Sequence, residues 1–317
     1  MTIQEIQNRL QQLSFDPKVL ERYNEHHRYY HTLDHVLYLL DVLEKKNVQS
    51  DDELFLTTIF HDAVYDPKSN TNEDDSAVLF KREAAKSKLN DTSVKNIEQM
   101  ILDTKHHKAS SDKSKLFIEA DLNIFNEDDA MLFEYEKQIF KEFQFVDYKQ
   151  YKEKRIAVLE HFNTNGKLNS LISFVKNVQP KIALFPGSFN PFHKGHYNVL
   201  KKAERIFDKV IIAFGKNPDK TIRTWDVPKT IQNRQLTEYE GLLTDFVETF
   251  DYDIVVIRGL RNSTDFQYEQ NQYRYIQELK PTIKIVSVFC DKEFEHISSS
   301  GIRTLEKYNK HQNYLLD

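Results

Sequence analysis

Glycine is scarce in this sequence, with seven in 317 residues. A chain so poor in its most permissive residue is neither a glycine-rich linker nor a fibrous repeat. Cysteine occurs once, at Cys290, which excludes an intramolecular disulfide and suits a reducing, cytoplasmic setting. No apolar run approaches the ~20 residues needed to cross a bilayer. The start, MTIQEIQNRL, lacks the basic-then-apolar order of a secretory signal. No membrane partner is therefore expected. An excess of positive charge is missing too: 44 Lys and Arg stand against 49 Asp and Glu, a net charge of −5. The basic footprint of a nucleic-acid binder is absent. What is present is 39% hydrophobic and 29% charged residues, enough apolar side chain for packed cores. The length favours two domains.

The two halves follow different patterns. Leu33, Val36, Leu37, Leu40 and Leu43 recur at helical spacing and predict a helix over 33–43. A second is predicted over Leu54–Phe60, with the helical run ended near Pro67 because proline disfavours the helical conformation in the residue before it. Further helical patterns cover 76–89, 94–102, 117–125 and 151–162, with no alternating strand before residue 180. After Pro180, short apolar runs such as KIALFPG, VIIAFG, DIVVIRG and IKIVSVFC alternate with helical stretches, one over 263–279 and a last one after Ser298. Only helix is predicted between VIIAFG and DIVVIRG. Alternation of this kind implies a parallel sheet covered by helices, with ligands at the carboxyl ends of its strands. The expected division is a helical domain over 1–178 and an α/β, Rossmann-like domain over 181–317.

Three polar motifs fall at those strand ends. PGSFNPFHKGH, residues 186–196, runs from a strand through a glycine turn into a helix starting at about Lys194. His193 and His196 then share one face of the first helical turn, where free N–H groups favour phosphate. Imidazoles there can donate hydrogen bonds to the charge that develops as pyrophosphate leaves. Ser188 can hold a phosphate, and Gly195 lets the helix approach a nucleotide. RGLRNSTDFQYE, residues 258–269, offers Arg258 and Arg261, three apart, for planar phosphate recognition. ISSSGIR, residues 297–303, supplies Ser298, Ser299 and Ser300 to cap a helix and bind triphosphate oxygens. Lys220, after the second strand, is a further cation facing the same edge.

These stretches, with NPDK and EFEHISSS, resemble the bacterial phosphopantetheine adenylyltransferases over nearly the whole second half. The resemblance implies an HxGH nucleotidyltransferase that moves AMP from ATP, delivered with Mg2+, onto 4′-phosphopantetheine. It implies ATP binding by Ser188, Phe189, His196, Gly259, Leu260, Arg261, Glu269, Phe294, Ile297, Ser298, Ser299 and Ser300. It assigns the acceptor phosphate to Lys220 and Arg258, with Ser188 and Leu243 nearby, and a homo-oligomer. His193 departs from that pattern, which usually has a small polar residue there. With SSSGIR it is similar to nicotinamide mononucleotide adenylyltransferases and cytidylyltransferases, which remain alternatives.

In the first half, His31 and His35 lie four apart in HHRYYHTLDHV and share a helical face. FHDAVYDP, NEDDSA, ILDTKHH and ADLNIF follow in order. Imidazoles and carboxylates in this arrangement suit divalent metals. The series resembles the HD-superfamily predicted metal-dependent phosphohydrolases over about residues 20–160. That resemblance implies a divalent metal (Mn, Fe, Co, Ni, Zn or Mg) on His35, His61, Asp62 and Asp121. It makes His31 a general acid, His107 a ligand to a second metal and Glu73 a lining group. The alternative is a regulatory module that binds metal or nucleotide without turnover.

Overall fold

The computed structural model describes residues 1–216 and 227–317. They form two compact units: residues 1–142 with 155–176, and residues 143–154 with 177–317. Among the described residues, no helix is long and apolar enough to cross a membrane.

The first unit is helical. Its elements are α1 (Ile3–Gln12), α2 (Leu33–Lys45), α3 (Asp52–Phe60), α4 (Asn72–Ala84), α5 (Asp91–Thr104), α6 (Asp112–Asp121), α7 (Asp129–Glu142) and α9 (Asn169–Asn177). Helix α8 (Tyr148–Phe162) contributes residues to both units. Short polar side chains start several helices. Asp51 accepts from Glu53 and Leu54 N–H, Asn90 from Ser93 and Ser111 from Ser114, which satisfies donors the helix itself leaves free.

Helix α3 is the hub, with every residue from Leu54 to Phe60 buried. A helix apolar all round must be surrounded, and α3 packs with α2, α4 and α5 in one continuous core. It ends at Phe60, the last residue of the predicted span and well before Pro67. Past that point Arg28, itself buried, donates to the carbonyls of Asp62 (2.8 Å) and Ala63 (3.4 Å). A guanidinium therefore satisfies carbonyls that a longer helix would have used, and the chain is free to turn His61 and Asp62 inward.

The second unit is a five-stranded parallel sheet of β1 (Ile182–Gly187), β2 (Lys209–Lys216), β3 (Leu236–Glu240), β4 (Ile254–Leu260) and β5 (Lys284–Phe289), in the order β3-β2-β1-β4-β5. Alternate residues of β1 serve opposite faces. Ala183 and Phe185 join Val199, Leu200 and Ala203 of α10 (Lys194–Ala203). Ile182 and Leu184 join Leu243 and Val247 of α11 (Leu243–Val247). Helix α12 (Ser263–Leu279) adds Ile276 on the face of Val256, and α13 (Ser299–Glu306) closes the chain. Helices on both faces of a parallel sheet make this a Rossmann-like α/β unit. The interval expected to be helix alone contains β3. Its sequence, LTEYE, is a polar edge strand paired only to β2, so it lacks the apolar run of the inner strands.

Candidate functional site

In the second unit the strand order reverses between β1 and β4, and a cleft of about 1480 Å³ opens at their carboxyl ends. Ser188, Phe189, His193, His196, Arg258, Gly259, Leu260, Arg261, Glu269, Ser298, Ser299 and Ser300 all line it. Leu243 does not. It packs in the apolar layer beneath the sheet, because α11 has to cover Ile182 and Leu184. Phe294 likewise packs against the core on the α10 face. Ile297 is buried and offers only its carbonyl, 3.3 Å from Arg261 Nη1. Lys220 lies outside the described residues.

The two histidines cap α10. His193 is the N-cap, and its Nδ1 accepts the Gly195 N–H at 3.1 Å. His196, three residues on, returns Nδ1 to the His193 N–H at 3.3 Å. The rings stack at 3.7 Å. Gly195 is needed here, since a Cβ would come within 3.1 Å of the His193 ring. This close packing, more than approach to a ligand, explains that glycine. Gly187 serves Phe189 similarly: a Cβ would sit 2.7 Å from its ring. Phe189 holds a left-handed backbone (φ 42°) and sets its ring edge-on to His196 at 4.9 Å.

Burial, then the positive charge of Arg261, pushes His193 down to about 4. Burial, His193 and Arg261 hold His196 well below its ordinary range. Both rings are therefore neutral at pH 7. Each Nδ1 is an acceptor, so each proton resides on Nε2. The result is a pair of neutral N–H donors in the wall of a cleft.

A stability consequence follows from His193. The unfolded chain takes up this proton near pH 6.5, the folded chain only near 4. The stability it permits is complete above the unfolded value and is lost as pH falls toward the folded one. His193→Asn keeps an N-cap acceptor and removes that titration. The difference in thermal midpoint, wild type minus variant, should be flat above neutrality and decline below it. A difference independent of pH would refute a buried neutral His193.

The arginines differ from expectation. Arg258 does not stand open to phosphate: it forks onto Glu269 at 2.5 and 3.0 Å. Arg261 forks onto Asp265 at 2.7 and 2.8 Å. The serines also have work within the fold. Ser298 caps α13 through the Gly301 N–H, and Ser299 donates to the Pro191 carbonyl.

In the first unit, four polar atoms converge from three helices. His61 Nε2 is 3.0 Å from Asp62 Oδ2 and 3.8 Å from Asp121 Oδ1. His35 Nε2 is 3.3 Å from Asp121 Oδ1 and 3.8 Å from Asp62 Oδ2. Both Nε2 atoms are buried without a hydrogen-bond partner. Orphaned buried nitrogens are costly, and here they face carboxylates. His61 Nδ1 is held at 3.0 Å by the Thr58 carbonyl, which puts its proton there and turns the Nε2 lone pair toward the cluster. Without a cation, burial opposes a second proton on His61, but Asp62 and Asp121 outweigh it and lift the group to about 9. Two imidazoles and two carboxylates suit a divalent metal, and His35, His61 and Asp62 are close enough to share one.

His31 stands beside this group. Its Nδ1 is 2.7 Å from Glu142 Oε2, and its ring stacks on Tyr65 at 4.3 Å. Glu142 is absent from the sequence reading, yet its other oxygen accepts the N–H groups of Tyr29, Tyr30 and His31. Tyr65 donates to Oε2, the oxygen that faces His31, at 2.7 Å. Only a buried glutamate at the end of an amphipathic helix could have hinted at this. His107 is exposed, with its ring edge 5.3 Å from Phe162. Glu73 lies in the first turn of α4. Neither is in the converging group.

Residues 184–305 match the cytidylyltransferase-like family. The phosphopantetheine adenylyltransferase of Mycoplasma capricolum is 39% identical over 139 residues, which cover 41% of this chain and 99% of that protein. Those of Mycoplasma mycoides and Cytophaga hutchinsonii are 37% and 36% identical over 139 residues, covering 41% of this chain and 99% and 91% of their own lengths. The second unit is thus of the nucleotidyltransferase kind, and through it the chain belongs to the phosphopantetheine adenylyltransferase family.

Proposed function

We propose that the second unit transfers AMP from ATP to 4′-phosphopantetheine, forming dephospho-CoA and pyrophosphate in coenzyme A biosynthesis. The observation that carries this reading is the neutral His193–His196 pair at a helix N-terminus beside Arg258 and Arg261. The names of the relatives supply the acceptor. An oxygen of the acceptor phosphate attacks the α-phosphorus of ATP. The bond from that phosphorus to the bridging oxygen breaks, and pyrophosphate leaves with the electron pair. No covalent enzyme intermediate is needed, so positioning and charge stabilisation carry the catalysis. Mg2+ enters with ATP. Ser188 meets the phosphates, Arg258 is shared between Glu269 and the acceptor phosphate, and Lys220 completes the acceptor site. Pyrophosphate release should require 4′-phosphopantetheine and Mg2+ATP. Release with nicotinamide mononucleotide instead would transfer the assignment to the alternative that His193 suggests.

We further infer that the first unit is an HD-type metal-dependent phosphohydrolase. The orphaned Nε2 atoms of His35 and His61, facing Asp62 and Asp121, support it. These four residues would hold a divalent metal, which supplies an activated water and polarises a phosphate ester. His31, whose Nδ1 is held by Glu142, would act as the general acid toward the leaving group.

A homo-oligomer is also part of this reading. Helix α12 exposes Phe266, Tyr268, Tyr273, Tyr275 and Leu279, the aromatic composition typical of interfaces. Light scattering should return a multiple of the chain mass, and a monomer would reject it.

A further inference from the structure

Lys209 is the first residue of β2 and is only 1% exposed. Among the described residues it forms no ion pair, and Asp147 acts on it only at longer range. A buried ammonium without an ion pair is unfavourable, and burial pushes this one down to about 7. The strand does not call for it, since Val210, Ile211, Ile212 and Ala213 supply its buried apolar run. What the amine does is donate to two main-chain carbonyls, those of Gln144 and Val146, the second at 2.8 Å. Protonated or neutral, it has hydrogens for both.

Those carbonyls lie in a short strap, residues 143–147, between α7 and α8. The Val146 N–H closes it onto the Phe143 carbonyl at 3.1 Å. Asp147 Oδ2 accepts from the Tyr252 hydroxyl at 2.9 Å, and the Tyr148 hydroxyl donates to the Val178 carbonyl at 2.9 Å. The strap and all of these partners belong to the second unit. The residue just before the strap, Glu142, ends α7 and belongs to the first unit. Its Oε1 gathers the N–H groups of Tyr29, Tyr30 and His31 at 2.8, 2.8 and 3.0 Å. Its Oε2 meets the His31 ring and the Tyr65 hydroxyl, each at 2.7 Å. One peptide bond therefore separates the carboxylate that shapes the His31 turn from a segment fastened to the other unit. Hydrogen bonds weaken steeply outside a narrow range of length and angle. A carboxylate serving so many groups at once tolerates little displacement of its own backbone.

We propose that Lys209 is a positioning residue for the first unit: by fixing the carbonyls of Gln144 and Val146 it sets the end of α7, and with it Glu142 and the turn from Tyr29 to His31. The His31 turn is then held in place only while the strap is fastened to the sheet of the second unit. This coupling needs only the hydrogen bonds named above and does not depend on the reaction assigned to either unit.

Hydrogen–deuterium exchange of the full chain, resolved to single amides, tests it. Lys209→Met keeps the length and apolar stem of the side chain and removes its donors. Exchange at the Tyr29, Tyr30 and His31 amides should quicken about tenfold, the equilibrium weight of one net hydrogen bond. The amides of α3, in the core of the same unit, should exchange as in the wild type. Tyr252→Phe releases Asp147 while keeping the ring. It should quicken the same three amides to a smaller degree, and it carries the test alone if the methionine variant does not fold. Faster exchange confined to residues 143–147, with residues 29–31 unchanged, would overturn the coupling and leave Lys209 as an anchor within its own unit. Acceleration spread evenly through the first unit, α3 included, would overturn it as well.

Discussion

Replacing His196 with alanine should lower kcat for AMP transfer by about 10²–10³-fold, the loss seen when one transition-state donor is removed. The KM for ATP should change far less. The reason is the state of the ring. His196 is half-buried, stacked on His193 and edge-on to Phe189. Its Nδ1 is committed to the His193 N–H, so its single proton is on Nε2. Such a donor is oriented before substrate arrives and costs no reorganisation as charge grows on the leaving phosphates. A group of this kind gains strength in the transition state, and its loss appears in kcat and not in uniform binding. Alanine also removes half of the reciprocal cap on α10, so the thermal midpoint should fall modestly. If the variant instead shows an unchanged kcat and a raised KM, His196 binds ground-state ATP and the donor role belongs elsewhere.

His61→Ala should abolish the metal binding and the hydrolysis proposed for the first unit together. Elemental analysis of the purified full chain is expected to fall from about one divalent metal per chain to background. His61 is one of only two nitrogen donors in the group, and both neighbouring carboxylates lean on it. Removing it leaves Asp62 and Asp121 half-buried near one another with less to offset their charge. Metal affinity should drop by more than the roughly 10–100-fold typical of losing a supporting contact alone. Some loss of stability should accompany this, because Asp62 is held far below the usual carboxylate range, in large part by His61. AMP transfer, whose proposed residues all lie in the second unit, should persist. Equal metal in wild type and variant would remove His61 as a ligand, whatever became of the hydrolysis.

Much of the fold was legible because its signals are local. The β4 and β5 runs, the start of α10 at Lys194 and the span of α12 all agree with the sequence reading. Each depends on a few adjacent residues: an apolar run, a turn or a cap. Helix α7 was missed for a related reason. Its buried positions are Leu132, Tyr135, Glu136, Ile139 and Glu142, a helical period in which two acids interrupt the apolar stripe. Strand β3 was missed because an edge strand need not be apolar.

The site divides along the same line. Sequence by itself determined which residue types occur and in what order: the HKGH turn, the arginines after β4, the serines before α13, and the histidine–aspartate series. Those motifs are contiguous, so their spacing carries their chemistry. Only the tertiary structure decided their electrical state. Glu269 neutralises Arg258 from eleven residues away, on the facing turn of α12. Glu142 reaches His31 across 111 residues of chain, and Asp121 reaches His35 from another helix. Charge pairing, tautomer and burial are set by what packs against a group, and packing joins residues that the sequence keeps far apart.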